Sequence, residues 1–290
     1  MLLRQITIVG TGLMGGSLAL ALRKGGFRGK IVGSDRPEVL RRAKRMGAIT
    51  EGIADPVEAS LGSGLVVLAA PVGAIIELLS RLGPHLQGDA LVTDLGSTKS
   101  EIVEHAGRVF GDRMEKNFLA GHPMAGKESS GIESADPDLF RGAVWFLTPV
   151  SGRMPGTVPA RRFVSCLRRT GAKIRVLDPR EHDQLCAWIS HVPQMIATAL
   201  AASLVDEYGE QAPLVEWGGR AFAEMTRIAA SPYSMWRDIA LTNKAFIADA
   251  LVKLEQRLAH LRENLDTRGL EEEFERAHKL RSVRRRKPYA

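Results

Sequence analysis

Short apolar runs alternate with amphipathic stretches through the first half of the chain, the pattern of a parallel sheet flanked by helices. Strands are expected over Gln5–Gly10, Lys30–Ser34, Leu65–Ala70, Leu91–Asp94, Phe118–Ala120 and Ala143–Thr148, with helices beginning near Leu13, Glu38, Ala74 and Lys99. Pro149–Pro159 reads as a linker, and a helix (Ala160–Arg169) and a strand (Lys173–Leu177) follow it. Beyond that point the pattern is almost wholly helical. Asp183–Val205 is apolar on most sides, which suits burial between helices or at a subunit interface. Ser231-Pro232 marks a helix start, a capping hydroxyl followed by proline in the first turn. Apolar Ile239, Phe246, Ala250, Leu254, Leu258 and Leu261 then recur at helical spacing, extending that helix to about Leu265. The pattern divides the chain into a doubly wound α/β region (1–150), a helix–strand pair completing it (151–180), a helical region (181–275) and a basic end (276–290).

The 290 residues include 40 basic and 33 acidic side chains, a formal net charge of +7. The excess is local. Residues 276–290 hold Arg276, Lys279, Arg281, Arg284, Arg285, Arg286 and Lys287 and no acidic residue; elsewhere 33 basic residues balance 33 acidic ones. The basic end is therefore expected to be a solvated, partly disordered tail. No nucleic-acid-binding motif accompanies it, which argues against such a partner. No apolar run is expected to cross a bilayer, and the first one is already a strand of the fold rather than a leader. Cys166 and Cys186 sit in apolar settings without CxxC spacing, which points to buried thiols in a reducing, cytoplasmic compartment.

Gly10-Thr11-Gly12-Leu13-Met14-Gly15 follows the strand Ile6-Thr7-Ile8-Val9 and opens a helix. This is a Rossmann-type fingerprint, whose glycines allow a tight turn, close approach to a pyrophosphate and close helix–strand packing. The helix amino end adds free N–H groups for the phosphates. Asp35 ends the next strand, where a carboxylate accepts hydrogen bonds from ribose hydroxyls and repels a 2′-phosphate, favouring NAD. Arg36 keeps NADP as the alternative. Ala70 and Pro71 follow the next apolar strand and are expected to line the cofactor's path.

The run Gly121-His122-Pro123-Met124-Ala125-Gly126 carries the leading candidate for chemistry. Pro123 biases His122 towards extended geometry at a strand's carboxyl end, where open sheets bind ligands. A histidine facing a redox cofactor there is placed to take a proton as the substrate is oxidised. Ser97, in Asp94-Leu95-Gly96-Ser97-Thr98-Lys99, shares that rim and either caps the helix near Lys99 or orients His122. Ser190-His191-Val192-Pro193-Gln194 lies inside an apolar helix that Pro193 should kink. Polar groups in such a place are costly unless used, so Ser190, His191 and Gln194 are read as facing a ligand. Arg237, in Met235-Trp236-Arg237-Asp238, suits two-pronged recognition of a carboxylate, an ion pair between helix residues being the alternative. His182 and Cys186 lie four apart on one helical face, but no further ligand stands at a recognisable spacing, so no metal site is expected.

Taken in order, Gly10–Gly15 with Asp35, Gly96-Ser97-Thr98-Lys99, Gly121–Gly126, Glu181-His182-Asp183, Ser190–Gln194 and Met235-Trp236-Arg237-Asp238 resemble the prephenate/arogenate dehydrogenase family of tyrosine biosynthesis. The resemblance reaches to about residue 265. It implies a Rossmann-type doubly wound parallel sheet followed by an all-helical dimerisation domain, a homodimer, NAD as cofactor and prephenate or arogenate as substrate. It also implies oxidative decarboxylation of a cyclohexadienyl acid. His122 would accept the proton of the ring hydroxyl as hydride passes to nicotinamide, with Ser97 holding the His122 ring, and the ring carboxylate would leave as carbon dioxide. Arg237 would bind a substrate carboxylate, while Ser190, His191 and Gln194 would face substrate or nicotinamide. Many members carry a second histidine where this chain has Gln194, an uncharged donor and acceptor. That departure bears on whether a keto or an amino side chain is read, and any inhibition by tyrosine is expected at the active site itself.

Two other classes fit parts of the sequence. A β-hydroxy-acid or imine dehydrogenase shares the two-domain plan, but such enzymes usually place a catalytic lysine on an interdomain helix. A non-catalytic NAD sensor would use the basic end to contact acidic partners.

Overall fold

A computed structural model describes residues 3–86, 88–127, 129–210 and 213–282. Strands β1 (Gln5–Val9), β2 (Lys30–Ser34), β3 (Glu51–Gly52), β4 (Leu65–Leu68) and β5 (Leu91–Asp94) form a parallel sheet in the order β3-β2-β1-β4-β5. Leu65 and Val67 join one apolar cluster with Ile6, Ile8 and Leu18, whereas Val66 and Leu68 join another with Ile75 and Leu79. Successive strand residues point to opposite faces, so an uninterrupted apolar run is the mark of a strand buried on both. Helices α1 (Leu13–Lys24), α2 (Pro37–Arg45), α3 (Pro56–Ser60), α4 (Val72–Leu82) and α5 (Ser100–Phe110) alternate with the strands. Neither β3 nor α3 was expected, since two and five residues are too short to leave a periodic signal.

The register keeps Val9, Ser34, Leu68 and Asp94 level at the carboxyl ends of their strands. The segments that follow, beginning at Gly10, Asp35, Ala69 and Leu95, therefore open on one rim.

After the short helix α6 (Met114–Asn117), Phe118 makes a single parallel bridge to Val92. The strand expected at Phe118–Ala120 is displaced: β6 is Ala120–Pro123, antiparallel to β7 (Val144–Thr148), which pairs parallel with β8 (Lys173–Val176). A second, three-stranded sheet thus stands where further strands of one parallel sheet were expected. Antiparallel pairing sets His122 opposite Phe146 and Pro123 opposite Trp145. Pro123 is tolerated as the last residue of an outer strand. The linker is also shorter than expected. Helix α7 spans Val158–Arg169 because the Thr157 hydroxyl accepts the Ala160 N–H and Pro159 fits the first turn.

Helix α8 (Pro179–Cys186) runs into a π-helical turn, Ala187–His191, and then into α9 (Val192–Tyr208). Pro193 offers no N–H to the preceding turn, and the ladder widens just before it, as the sequence predicts. By length and composition Pro179–Tyr208 can cross a membrane, with mean hydropathy 1.3, contrary to expectation. Its polar residues interrupt the run locally without lowering its average. Those residues include His182, Asp183 and His191, all buried on protein partners.

Helices α10 (Leu214–Trp217), α11 (Arg220–Thr226) and α12 (Tyr233–Thr242) follow. Ser231 does not cap α12: Pro232 occupies the cap position, and no side chain bonds to the helix end. The helix expected to run unbroken to Leu265 is interrupted at Asn243 (φ −126°, ψ 23°) before α13 (Lys244–Glu263), where the Asn243 side-chain amide bonds to His191 and to the Asp183 carbonyl.

One compact unit ends at Lys244 and a second begins at Ala245. In the second, α14 (Arg268–Ser282) presents Glu273, whose carboxylate draws Arg257 to 2.6 Å and Arg276 to 3.7 Å. Arg276, Lys279 and Arg281 therefore belong to a helix and not to a disordered tail. Arg284, Arg285, Arg286 and Lys287 lie outside the described residues.

Candidate active site

The glycine loop leaves room only for backbone at two of its positions. Gly10 has φ +90°, and a Cβ there would lie 2.2 Å from the Ala69 carbonyl oxygen; one on Gly15 would lie 1.9 Å from the Gly10 carbonyl oxygen. A Cβ on Gly12 would meet nothing within 4 Å. Gly12 is also the cap of α1, which no side chain occupies. Open space before uncapped helix N–H groups suits a pyrophosphate. Thr11 is buried, Leu13 and Met14 start the helix half-buried, and Ala70 and Pro71 lie at the same rim, Pro71 leading into α4.

Asp35 is braced against this loop. Its Oδ2 accepts the Thr11 N–H (2.7 Å) and the Thr11 hydroxyl (3.3 Å), and its Oδ1 accepts the Arg36 N–H (2.8 Å). The exposed Arg36 guanidinium pairs with Glu38 at 3.5 Å, so its charge is already countered. The residues present fit a dinucleotide, and the Asp35 carboxylate at the strand end suits NAD.

The proton-handling groups form a chain. His122 Nδ1 lies 2.9 Å from His182 Nε2, and His182 Nδ1 lies 2.9 Å from Asp183 Oδ1. Asp183 also accepts the N–H of Lys99 (2.7 Å) and of Ser100 (2.8 Å), so it caps α5 from 84 residues away. A carboxylate is favoured at that helix end. Burial alone would raise the Asp183 pKa, but hydrogen bonds from His182 and Ser100 outweigh it and hold the group below its usual range.

The tautomers follow from the acceptor at the end of the chain. An ionised Asp183 can only accept, so His182 Nδ1 carries the proton that bonds to it. Burial lowers the His182 pKa, leaving the ring neutral with its lone pair on Nε2. His122 Nδ1 must then donate, and the His122 lone pair is left on Nε2. Burial, reinforced by the nearby Lys99 cation, holds His122 well below its ordinary pKa. The result is a neutral, oriented proton acceptor.

Lys99 is wholly buried and ion-pairs with Asp94, which is equally buried. Its Nζ also donates to the Gly121 carbonyl at 2.8 Å, while Asp94 accepts the N–H groups of Gly96 (2.9 Å) and Gly121 (3.1 Å). This pair fixes the backbone immediately before His122. Neither role expected of Ser97 is seen. Among the described residues no hydrogen bond joins it to His122, whose Nδ1 is already satisfied by His182, and Asp183 caps the helix instead.

In the helical region Asn243 Nδ2 donates to His191 Nδ1 (3.0 Å) and to the Asp183 carbonyl (2.9 Å). His191 therefore carries its proton on Nε2, a buried atom without a partner, and burial pushes its pKa down to about 4. The Trp236 ring stands edge-on to it at 6.0 Å, and its Nε1 is likewise buried and unpartnered. Gln194 donates from Nε2 to the Ile228 carbonyl (2.9 Å) and to Thr198 (3.2 Å), and its Oε1 has no hydrogen bond among the described residues. Ser190 is half-buried in the π turn and has no hydrogen bond among the described residues. Arg237 forms the ion pair weighed as its alternative. Its Nε and Nη2 each lie 3.0 Å from Asp238 Oδ1, and Asp238 Oδ2 accepts the Gly73 N–H at 3.1 Å. Nη1 of the half-exposed guanidinium has no partner among the described residues. Cys186 Sγ lies 3.3 Å from His182 Nε2 and 3.9 Å from His122 Nδ1. Burial pushes its thiol up to about 12, so it stays neutral and carries no proton along the chain.

The sequence reading missed Asp94, Lys99, Asn243 and the orienting role of His182 and Asp183. Glu181-His182-Asp183 stands in the ordered motifs, but its partnership with His122 spans 60 residues and leaves no local spacing.

Comparison with known proteins bears on the whole chain. A model described as prephenate dehydrogenase, nucleotide-binding domain, matches residues 18–176, and one described as prephenate dehydrogenase, dimerization domain, matches residues 178–280. A prephenate dehydrogenase of Lactococcus lactis subsp. cremoris is 33% identical over 286 residues, which is 97% of this chain and 77% of that protein. The crystal structure of prephenate dehydrogenase from A. aeolicus in complex with hydroxyphenyl propionate and NAD+ superposes with a TM-score of 0.84 at 34% identity, covering 98% of each chain. Synechocystis arogenate dehydrogenase superposes with a TM-score of 0.77 at 28% identity, covering 96% of this chain and 99% of that one. Fold and site together define an oxidoreductase that binds a nucleotide cofactor on its amino-terminal sheet. The chain belongs to the prephenate dehydrogenase family.

Proposed function

We propose that the protein catalyses NAD-dependent oxidative decarboxylation of prephenate to 4-hydroxyphenylpyruvate, with His122 as general base. The observation that carries this reading is the hydrogen-bond chain from Asp183 through His182, which leaves the lone pair of a neutral His122 on Nε2. NAD, when bound, supplies the two-electron acceptor. Gly12 and the α1 N–H groups would hold its pyrophosphate, Asp35 its ribose, and Ala70 and Pro71 would flank it. His122 Nε2 takes the proton of the substrate's ring hydroxyl. The imidazolium so formed keeps its Nδ1–H on His182, with the Asp183 charge behind it to stabilise the cation. Loss of the ring carboxylate as carbon dioxide then gives an aromatic product.

Arg237 Nη1 is the group proposed for a substrate carboxylate. The unpartnered N–H groups of His191 and Trp236 would donate to substrate oxygens, and the Ser97 and Ser190 hydroxyls complete the proposed site. Gln194 supports a second reading. With its N–H groups spent on Ile228 and Thr198, Oε1 presents an acceptor, which suits the ammonium of arogenate better than the keto group of prephenate.

A homodimer is proposed on the match to the dimerization-domain model and on the exposed apolar Trp188, Ile189, Val205, Tyr208 and Trp217. The two free cysteines favour a cytoplasmic location. The boundary between the nucleotide-binding and helical parts is placed near residue 180.

The test is NADH formation by the purified protein with NAD and either prephenate or arogenate. Turnover of prephenate supports the first reading, and turnover of arogenate alone transfers the assignment to the second. Turnover of neither, with NAD binding intact, overturns both.

A further inference from the structure

The hydrogen-bond chain makes no use of Cys186, yet this thiol is fully buried against both of its imidazoles. One ligand atom each from His122, His182 and Cys186 lies within 4.8 Å of the others. The sequence offered only the pair His182 and Cys186, four residues apart on α8. The fold adds His122 from β6 and completes a triangle.

The edges of that triangle are 2.9 Å between the two nitrogens, 3.3 Å from Sγ to His182 Nε2 and 3.9 Å from Sγ to His122 Nδ1. Zinc bonds of about 2.0–2.1 Å to nitrogen and 2.3 Å to sulfur, set tetrahedrally, require edges of roughly 3.3–3.6 Å. Shifts of a few tenths of an ångström bring the three atoms to those values. A second feature points the same way. Asp183 accepts from His182 Nδ1 and so aims His182 Nε2 at the triangle, the carboxylate–histidine arrangement that orients metal-bound imidazoles. Two imidazoles and one thiolate select soft or borderline ions such as Zn2+ over Mg2+ or Ca2+.

We propose that His122, His182 and Cys186 form a three-ligand site for a thiophilic transition-metal ion such as Zn2+, and that occupancy of this site switches the base off. The ion takes the lone pair of His182 Nε2, binds His122 Nδ1 as the proton of that nitrogen passes through solvent to Nε2, and displaces the thiol proton of Cys186 to solvent. A neutral His122 bound through Nδ1 carries its one proton on Nε2, the nitrogen that must be bare to accept a proton from substrate. The fourth metal position is left to water. The inhibitory half rests on His122 being the general base; the binding half does not.

The test is titration of the metal-free, full-length protein with Co2+, read by the thiolate-to-cobalt charge-transfer band, alongside equilibrium dialysis with Zn2+. One ion per chain and a thiolate band are expected. Cys186→Ala should lose the band and bind Zn2+ more weakly by more than the about 10–100-fold that loss of an outer-shell partner costs. Cys186→Ser, closer in shape, serves if the alanine variant is unstable. In turnover assays Zn2+ should silence the parent reversibly to chelator, while the Cys186 variants keep turning over at the same Zn2+ concentration. Absence of the thiolate band, or equal Zn2+ affinity in parent and variants, overturns the site. A thiolate band in a protein that forms no NADH even when metal-free overturns the assigned reaction and leaves the metal site standing.

Discussion

His122 Nδ1 and His182 Nε2 lie 2.9 Å apart, so the candidate base on β6 is aimed by a residue at the start of the helical run. The aiming residue is itself held by Asp183, which ties it to the amino end of α5. The amino end of α5 thereby fixes which nitrogen of the candidate base carries a proton.

Removing His182 therefore frees the His122 ring to adopt the other tautomer. His182→Ala is expected to lower kcat by about one to two orders of magnitude, less than the ~10²–10⁴-fold for losing a general base itself. NAD affinity should be unchanged. His182→Asn, whose amide oxygen still accepts from Nδ1, should recover part of the loss. Steady-state kinetics with fluorescence titration of NAD would check this, and normal kcat in His182→Ala would remove His182 from the account.

Two glycines of the loop should respond in opposite ways. Gly15→Ala forces a Cβ to within 1.9 Å of a backbone oxygen and should destabilise the protein by about 1–3 kcal/mol or more. Gly12→Ala meets no protein atom within 4 Å, so its stability should stay within about 0.5 kcal/mol of the parent. Its NAD affinity should nonetheless fall by about tenfold, ~1.4 kcal/mol, because the methyl fills the space before the α1 N–H groups. Denaturant unfolding and NAD titration separate the two effects.

The buried Lys99–Asp94 pair should matter to stability before it matters to chemistry. Lys99→Met leaves the Asp94 charge buried without its partner and is expected to cost about 3–5 kcal/mol. Lys99→Met with Asp94→Asn should cost less than Lys99→Met alone, since no uncompensated charge remains. A double-variant loss equal to the sum of the losses of Lys99→Met and Asp94→Asn measured singly would show that the pair is not coupled.

What the sequence disclosed and what it hid divide along physical lines. Strands β1, β2, β4 and β5 were legible because burial on both faces writes an apolar run. The glycine loop, Asp35 and His122 were legible because each sits where a strand ends, and a strand end is marked locally. The partners of His122 were not. His182, Asp183 and Asn243 act on groups remote in sequence, and a polar residue buried on such a partner looks, in sequence, like any other polar residue. For Ser97 the sequence leaves capping and orienting open, and the family resemblance implies the orienting role. The fold brought an imidazole to His122 instead. The break at Asn243 was hidden in the same way, by an apolar period that continues through it while the side chain turns to Asp183 and His191.

Arg237 holds Asp238 with two of its nitrogens and keeps the third free. Arg237→Ala is expected to raise KM for the substrate by about ten- to a hundredfold, the loss of a charge-assisted contact worth ~1.5–3 kcal/mol, with a smaller change in kcat. Unchanged KM would confine Arg237 to its ion pair with Asp238.

His122 Nε2 is the proposed acceptor of the substrate proton. NADH formation from NAD and prephenate by His122→Asn, set beside the parent and beside NAD affinity measured on both, tests it most directly. Turnover should fall by about 10²–10⁴-fold at unchanged NAD affinity. Turnover within a few-fold of the parent would contradict it and move the proton to another group.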